Sequence, residues 1–292
     1  MWKKIAEHIT QVTVENFEVT DYHSVGGGCI NTGYKVSDGT RSYFVKINQA
    51  SLVEMFRAEA LGLKQMLETQ TIRVPKPLCY GTEGNNCYIV LEWLDLSDRG
   101  NDKSWAQMGR NLASLHRYQG KKEFGWDINN TIGSTPQINS RCTDWAEFWV
   151  QHRIGYQLKL AKGRGLSFSD SDHLLKIILE LLAAHQPQPS LVHGDLWSGN
   201  ASVTVDGEPI IFDPATYWGD REVDIAMTEL FGGFPTTFYR GYNEAWPLDD
   251  GYKQRKTLYN LYHVLNHFNL FGGGYASQAE KMIQQLLRKN WV

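Results

Sequence analysis

Two short runs constrain this chain more than anything else in it: Leu191-Val192-His193-Gly194-Asp195-Leu196-Trp197-Ser198-Gly199-Asn200, and Ile210-Ile211-Phe212-Asp213-Pro214. They set Asp195, Asn200 and Asp213 in order, each beside an apolar stretch rich in β-formers. Phosphoryl transfer needs such a set: one carboxylate to orient and deprotonate a hydroxyl, plus an amide and a second carboxylate to hold magnesium. The spacing matches a kinase catalytic loop and its metal-binding strand, with Gly194 where protein kinases usually carry Arg and Pro214 in place of Phe. Asp195 is therefore the expected base, taking the hydroxyl proton late, as charge develops on the attacking oxygen. Asn200 and Asp213 are the expected ligands of Mg2+, an ion that favours hard oxygen donors. His193 reads as a brace for the loop, and His116, on a helix face, is read in the same way. Trp197, between base and amide, reads either as a stacking surface for a sugar or flat acceptor or as core packing.

The upstream residues supply the rest of a phosphate site. Strands are expected at Val19 to Val25, Ile30 to Val36, Tyr43 to Ile47 and Cys87 to Glu92, with a hairpin turn at Asp38-Gly39. Gly26, Gly27 and Gly28, followed by Cys29, Ile30 and Asn31, fall at a strand–strand turn where backbone N–H groups can approach phosphate oxygens. Alone, such a triplet reads as a hairpin tip. Lys46 on the next strand and Glu59 on the following helix change that, because kinases pair a strand Lys with a helix Glu at the phosphates. Glu54 competes with Glu59 but is taken up by a capping box, Ser51-Leu52-Val53-Glu54, opening a helix at Leu52 that runs to about Glu68. Cys29 reads as a small residue tolerated in a turn; the alternative is an exposed, oxidisable thiol beside the nucleotide.

From Ser104 onward helices dominate. A second capping box, Ser104-Trp105-Ala106-Gln107, opens one. Trp145, Phe148, Trp149 and Tyr156 share a face, Leu174 to Ala184 forms another helix, and Tyr252 to Phe268 and Ser277 to Leu287 supply two more. The expected fold is α+β and bilobal: residues 1–94 form a small antiparallel β-sheet N-lobe with one helix, and residues 95–292 a larger, mainly helical C-lobe. The connection falls near Glu92-Trp93-Leu94-Asp95.

Bulk properties narrow the function. At 292 residues, 42% hydrophobic and 21% charged, the composition is that of an ordinary globular protein. A formal charge of −3 argues against nucleic acid as a main partner. No stretch approaches the length of a membrane span. The scattered Cys29, Cys79, Cys87 and Cys142 make neither a zinc knuckle nor a disulfide framework, and with no signal-peptide pattern they predict a cytoplasmic setting.

These motifs, with further runs on both sides, resemble the fructosamine kinase (ketosamine-3-kinase) family, relatives of the aminoglycoside phosphotransferases. The resemblance covers nearly the whole chain. Its runs include Phe124-Gly125-Trp126, Asn130-Thr131-Ile132-Gly133, Pro136-Gln137-Ile138-Asn139 and Asp144-Trp145-Ala146-Glu147-Phe148-Trp149. Others are Gly219-Asp220-Arg221-Glu222-Val223-Asp224-Ile225-Ala226-Met227, Leu230-Phe231-Gly232-Gly233-Phe234 and Leu261-Tyr262-His263-Val264-Leu265-Asn266-His267.

The resemblance implies a protein-kinase-like fold and ATP-dependent phosphorylation of the 3-hydroxyl of a ketosamine, whose unstable product frees the amine in deglycation. It implies ATP and Mg2+ as cofactors, Gly26 to Asn31 with Lys46 and Glu59 around the phosphates, and Glu92, Trp93 and Leu94 beside the adenine. Trp197 and His267 are implied substrate residues. The Arg221-Glu222-Asp224 cluster either joins them or braces the loop. Asp220 stands where the family pattern carries His, a departure expected at the mouth of the site. The implied partner is a ketosamine, free or protein-bound; monomer and homodimer both fit. Two rivals remain at this stage: another acceptor on the same fold, such as an aminoglycoside or a choline-like amine held in an aromatic cage, and a nucleotide-binding pseudokinase module.

Overall fold

A computed structural model describes residues 1–26, 30–97, 100–168 and 170–288. In the N-terminal part, α1 (Trp2–Thr13) precedes an antiparallel five-stranded sheet of β1 (Asp21–Val25), β2 (Thr32–Ser37), β3 (Ser42–Gln49), β4 (Pro77–Glu83) and β5 (Asn86–Glu92), ordered β1-β2-β3-β5-β4. The β2–β3 turn forms at Asp38-Gly39. Asp38 Oδ1 accepts the N–H groups of Thr40 and Arg41, and Gly39 adopts φ +90°, open to glycine without strain.

Helix α2 (Val53–Thr69) crosses between β3 and β4. Strand periodicity divides the core in two. Val45, Ile47, Tyr88 and Val90 pack with Ile5, Ala6 and Ile9 of α1, whereas Cys87, Ile89 and Leu91 join Phe56, Leu63 and Met66 of α2. Lys46, opposite Ile89 in the ladder, thereby points to the α2 side. Helix α1 escapes the strand reading of this region. Its apolar stripe is short, and its partner face is created only by sheet residues far along the chain.

Both expected capping boxes are corrected. A single 3₁₀ turn (Ala50–Leu52) leads into α2 without a side-chain cap, and Glu54 binds Arg57 instead. Helix α3 (Asp102–Arg117) is capped by Asn101, whose side chain accepts the Ser104 N–H at 2.9 Å, while the Ser104 hydroxyl reaches the Gly207 carbonyl.

The C-terminal part adds short strands β6 (Leu96–Ser97), β7 (Asn130–Ile132), β8 (Thr135–Gln137), β9 (Ser190–Val192), β10 (Ala201–Thr204), β11 (Pro209–Ile211) and β12 (Tyr217–Gly219). Around them lie α4 (Trp145–Trp149), a π-helical turn (Val150–Ile154), α5 (Gly155–Gly163), α6 (Ser171–Ala183), α7 (Glu222–Thr228), α8 (Thr236–Ala245), α9 (Tyr252–Phe271) and α10 (Tyr275–Arg288). Every residue of α7 is buried, so it carries no amphipathic stripe to announce it. Helices α3 and α8 meet at glycines: a Cβ on Gly109 would lie 2.1 Å from the Phe238 carbonyl oxygen, and one on Gly241 2.1 Å from that of Ala106. Among the described residues, no helix is long and apolar enough to cross a membrane.

Candidate active site

The cleft between the five-stranded sheet and the helices has a volume of about 1200 Å3. That is room for two small substrates side by side. On its upper wall, Lys46 Nζ lies 2.6 Å from Glu59 Oε1 and 2.5 Å from Asp213 Oδ1. Burial alone would depress the Lys46 pKa; the charges of Asp213 and Glu59 outweigh it and hold the ammonium above its ordinary value.

The lower wall is a loop held by its own backbone. Asp224 of α7 accepts the N–H groups of His193 at 2.7 Å and Gly194 at 2.8 Å, and the His116 Nε2 at 2.9 Å. Burial would raise that carboxyl, but the hydrogen bond and charge of His116 with the Gly194 amide hold it below the usual range. His193 donates from Nε2 to the Phe212 carbonyl at 2.8 Å, and its Nδ1 accepts the Asp195 N–H at 3.2 Å. Gly194 has φ +82°, and a Cβ there would sit 2.2 Å from the Ala215 carbonyl oxygen. This close approach explains why glycine replaces the Arg of protein kinases.

Asp195 faces the cleft with its carboxyl pushed up to about 7, first by burial and then by the charges of Asp213 and Asp224. Asn200 Nδ2 donates to the Asp195 carbonyl at 2.8 Å and lies 3.4 Å from Oδ2. This commits the Asn200 nitrogen and turns the amide oxygen to other use. Asp213 stands at φ +58°, with its side chain partly open to the cleft. The oxygens of Asn200 and Asp213 thus form a hard donor set suited to Mg2+.

Residues from the family runs, joined by Arg153, brace the segment after Asp213, a role that their spacing does not reveal. Asn130 Nδ2 donates to the Thr216 carbonyl, and Gln137 Nε2 to the Ala215 carbonyl and Asn130 Oδ1. Tyr262 donates to Gln137, and Arg153 to Asn139 Oδ1 and the Ile138 carbonyl. The π-helical turn brings the fully buried Arg153 guanidinium 4.1 Å from the Tyr217 ring centre.

The other sequence-predicted residues divide. Gly26 and Asn31 line the cleft, with Asn31 Oδ1 accepting from Asn48; Gly27, Gly28 and Cys29 lie outside the described residues. Glu92, Trp93 and Leu94 also line it. The Glu92 carboxylate is engaged by Arg73 and the Lys76 N–H, and Lys35 Nζ rests 4.4 Å over the Trp93 ring. Trp197 is 37% exposed and lies over Gly199, which removes the core reading. Its edge meets Phe231, which packs on His267, and His267 in turn meets Phe271 and Tyr275. This aromatic wall was only partly visible in the sequence, because Phe271 and Tyr275 belong to no quoted run.

Arg221 and Glu222 are corrected as substrate candidates: neither lines the cleft. Arg221 donates to the Trp246 and Pro247 carbonyls, and Glu222 forms a buried two-bond pair with Arg255. Asp220 is likewise buried rather than at the mouth, accepting from His185 and Tyr259.

A β-sheet whose Lys pairs with a Glu of the adjoining helix, set over a helical lobe that presents Asp, Asn and Asp into the same cleft, defines a protein-kinase-like phosphotransferase. Within that class, the fructosamine kinase family model matches residues 1–289, and the chain belongs to this family. A probable ketoamine kinase of Synechocystis is 56% identical over 287 residues, covering 98% of this chain and 97% of that protein. The chloroplastic protein-ribulosamine 3-kinase of Arabidopsis thaliana is 45% identical over 280 residues, 93% of this chain and 84% of that one. The crystal structure of a provisionally named fructosamine-3-kinase from Haemophilus somnus superposes with a TM-score of 0.93 at 36% identity, covering 98% of each chain.

Proposed function

We propose that this chain transfers the γ-phosphate of ATP to the 3-hydroxyl of ketosamines, the Amadori adducts of sugars on amines. The observation that carries the reading is the convergence of Lys46, Asp195 and Asp213 on one cleft, in a chain of the fructosamine kinase family. The N-terminal lobe, residues 1–94, would hold the nucleotide, and residues 95–292 the acceptor.

Asp195 orients the acceptor hydroxyl and accepts its proton as the new O–P bond forms. Its raised pKa suits a base working near neutral pH. Lys46 positions the phosphates, with Glu59 fixing its ammonium. Asn200 and Asp213 fit Mg2+ through their free oxygens, and the ion when bound offsets charge on the phosphates. Gly26 and Asn31, which line the cleft, would lie beside the phosphates, and Glu92 to Leu94 would flank the adenine. Trp197 and His267 support the acceptor from the aromatic wall. With phosphate at C3, proton loss from C1 gives the 1,2-enaminol, which expels the phosphate from C3; water then hydrolyses the resulting C1 imine and frees the amine.

The test measures ADP formation with ribulosyl-lysine, fructosyl-lysine, an aminoglycoside and choline in parallel, with Asp195→Ala as control. Turnover confined to ketosamines and lost in the variant is expected. Preference for the aminoglycoside or choline would replace the acceptor, and ATP binding without turnover on any acceptor would identify a binding module.

A further inference from the structure

One buried nitrogen beside the base has no partner. His263 lies on α9 and is 3% exposed, and its Nδ1 makes no hydrogen bond among the described residues. That nitrogen faces Asp195 Oδ1 at 3.9 Å, beyond hydrogen-bond length. The other carboxylate oxygen, Oδ2, faces the Asn200 amide. The ring does not line the cleft, so His263 reaches substrate only through Asp195.

We propose that His263, as the Nδ1–H tautomer, is the positioning residue for Asp195, its 3.9 Å separation closing to a hydrogen bond when ATP and acceptor fill the cleft. This rests on Asp195 being the base in the function proposed above. Polar contacts at catalytic groups are often long before substrate arrives and tighten in the loaded complex. The tautomer follows from what the nitrogen faces: a proton on Nδ1 meets a carboxylate oxygen, whereas a lone pair there would repel it. Burial, with His267 and Arg153 nearby, brings the imidazole down to about 3 against the pull of Asp224, so the ring is neutral. A neutral donor orients the carboxylate without competing for its proton.

The backbone extends the arrangement. The His263 carbonyl accepts from His267 Nδ1 at 2.8 Å, and His267 belongs to the aromatic wall. The helix turn that orients the base also sets the acceptor wall. With Asn200 on one oxygen and His263 on the other, the Asp195 carboxylate is fixed in plane and its remaining lone pairs are left for the hydroxyl.

Two variants of similar bulk separate positioning from packing. In His263→Asn the amide nitrogen lies near the place of Nδ1; in His263→Gln it lies near that of Nε2. At metal sites, removing a partner that orients a functional ligand costs roughly ten- to a hundredfold, and the same scale applies to a donor that orients the base. His263→Gln should therefore lose about tenfold or more in kcat, with KM for ATP and acceptor within about twofold, and His263→Asn should recover most of the loss. Equal loss in both variants, or a loss confined to KM, would overturn the assignment.

A second readout is independent of the acceptor. Imidazole 15N shifts of the whole protein with Mg2+ and a non-hydrolysable ATP analogue should report the Nδ1–H tautomer for His263, perturbed by Asp195→Ala. An Nε2–H tautomer would overturn the proposal even where wild-type turnover is normal. An Nδ1–H tautomer with no ketosamine turnover would retain the contact and reject the acceptor.

Discussion

Lys46 Nζ on β3 and Asp213 Oδ1, just beyond β11, lie 2.5 Å apart, so one ion pair joins the sheet to the segment after β11 across the cleft. Glu59 holds the same ammonium from α2. Under the proposed function Lys46 and Asp213 are the groups that a nucleotide and its metal would engage, and the resting Glu59–Lys46–Asp213 triad keeps all three charges satisfied until substrate arrives.

Lys46→Ala leaves buried Glu59 without a cation. Breaking a buried pair from one side costs about 3–5 kcal/mol, so its Tm should fall well below wild type. The double variant Lys46→Met with Glu59→Gln removes both charges and should regain much of that stability while remaining inactive. Calorimetry on the set checks this; a double variant no more stable than Lys46→Ala would contradict the role given to Glu59.

Asp195 links activity and stability through pH. Its folded pKa of about 7 stands above the ordinary 3.8, so folding favours the protonated form. The buried carboxylate weakens the fold progressively as pH rises from 3.8 to about 7, and the full penalty holds above that. Asp195→Asn should therefore have a higher Tm than wild type at pH 8, and the difference should narrow toward pH 5. In the wild type, kcat/KM should fall below neutral pH with unit slope. Added Mg2+ should move the midpoint lower by offsetting Asp213. A Tm difference that grows on acidification would refute the assignment.

Trp197 and Glu222 should respond in opposite ways. Loss of a stacked ring is worth about 0.5–1.5 kcal/mol beyond its area, so Trp197→Ala should raise the acceptor KM by up to about tenfold. Glu222→Gln should leave that KM unchanged and lower Tm, because Arg255 loses its buried carboxylate partner. Steady-state kinetics with thermal melts separates the two; an acceptor KM raised by Glu222→Gln would return that residue to the substrate site.

The legible part of the site is the part built from residue types that chemistry demands at short spacing. Asp195, Asn200 and Asp213 sit at strand ends in two adjacent runs, and Lys46 and Glu59 follow from one strand–helix unit. What escaped was set by distant contacts. Glu222 and Arg221 look like a local charge cluster, yet their partners are Arg255 and the carbonyls of Trp246 and Pro247. Asn130 and Gln137 were visible in runs without roles, because their targets lie far along the chain, and Arg153 belonged to no run at all. Helix α7 was hidden by burial on all sides, and α1 by a stripe that only the folded sheet completes.

The most direct test of the account is the position of the transferred phosphate. Wild-type protein with Mg2+ and ATP should be mixed with ribulosyl-lysine and fructosyl-lysine labelled with 13C in the sugar, and followed by 31P and 13C NMR beside Asp195→Asn. The account predicts phosphate on the C3 hydroxyl, then release of free lysine, with neither in the variant. Phosphate on another hydroxyl, or the same product from Asp195→Asn, would contradict it.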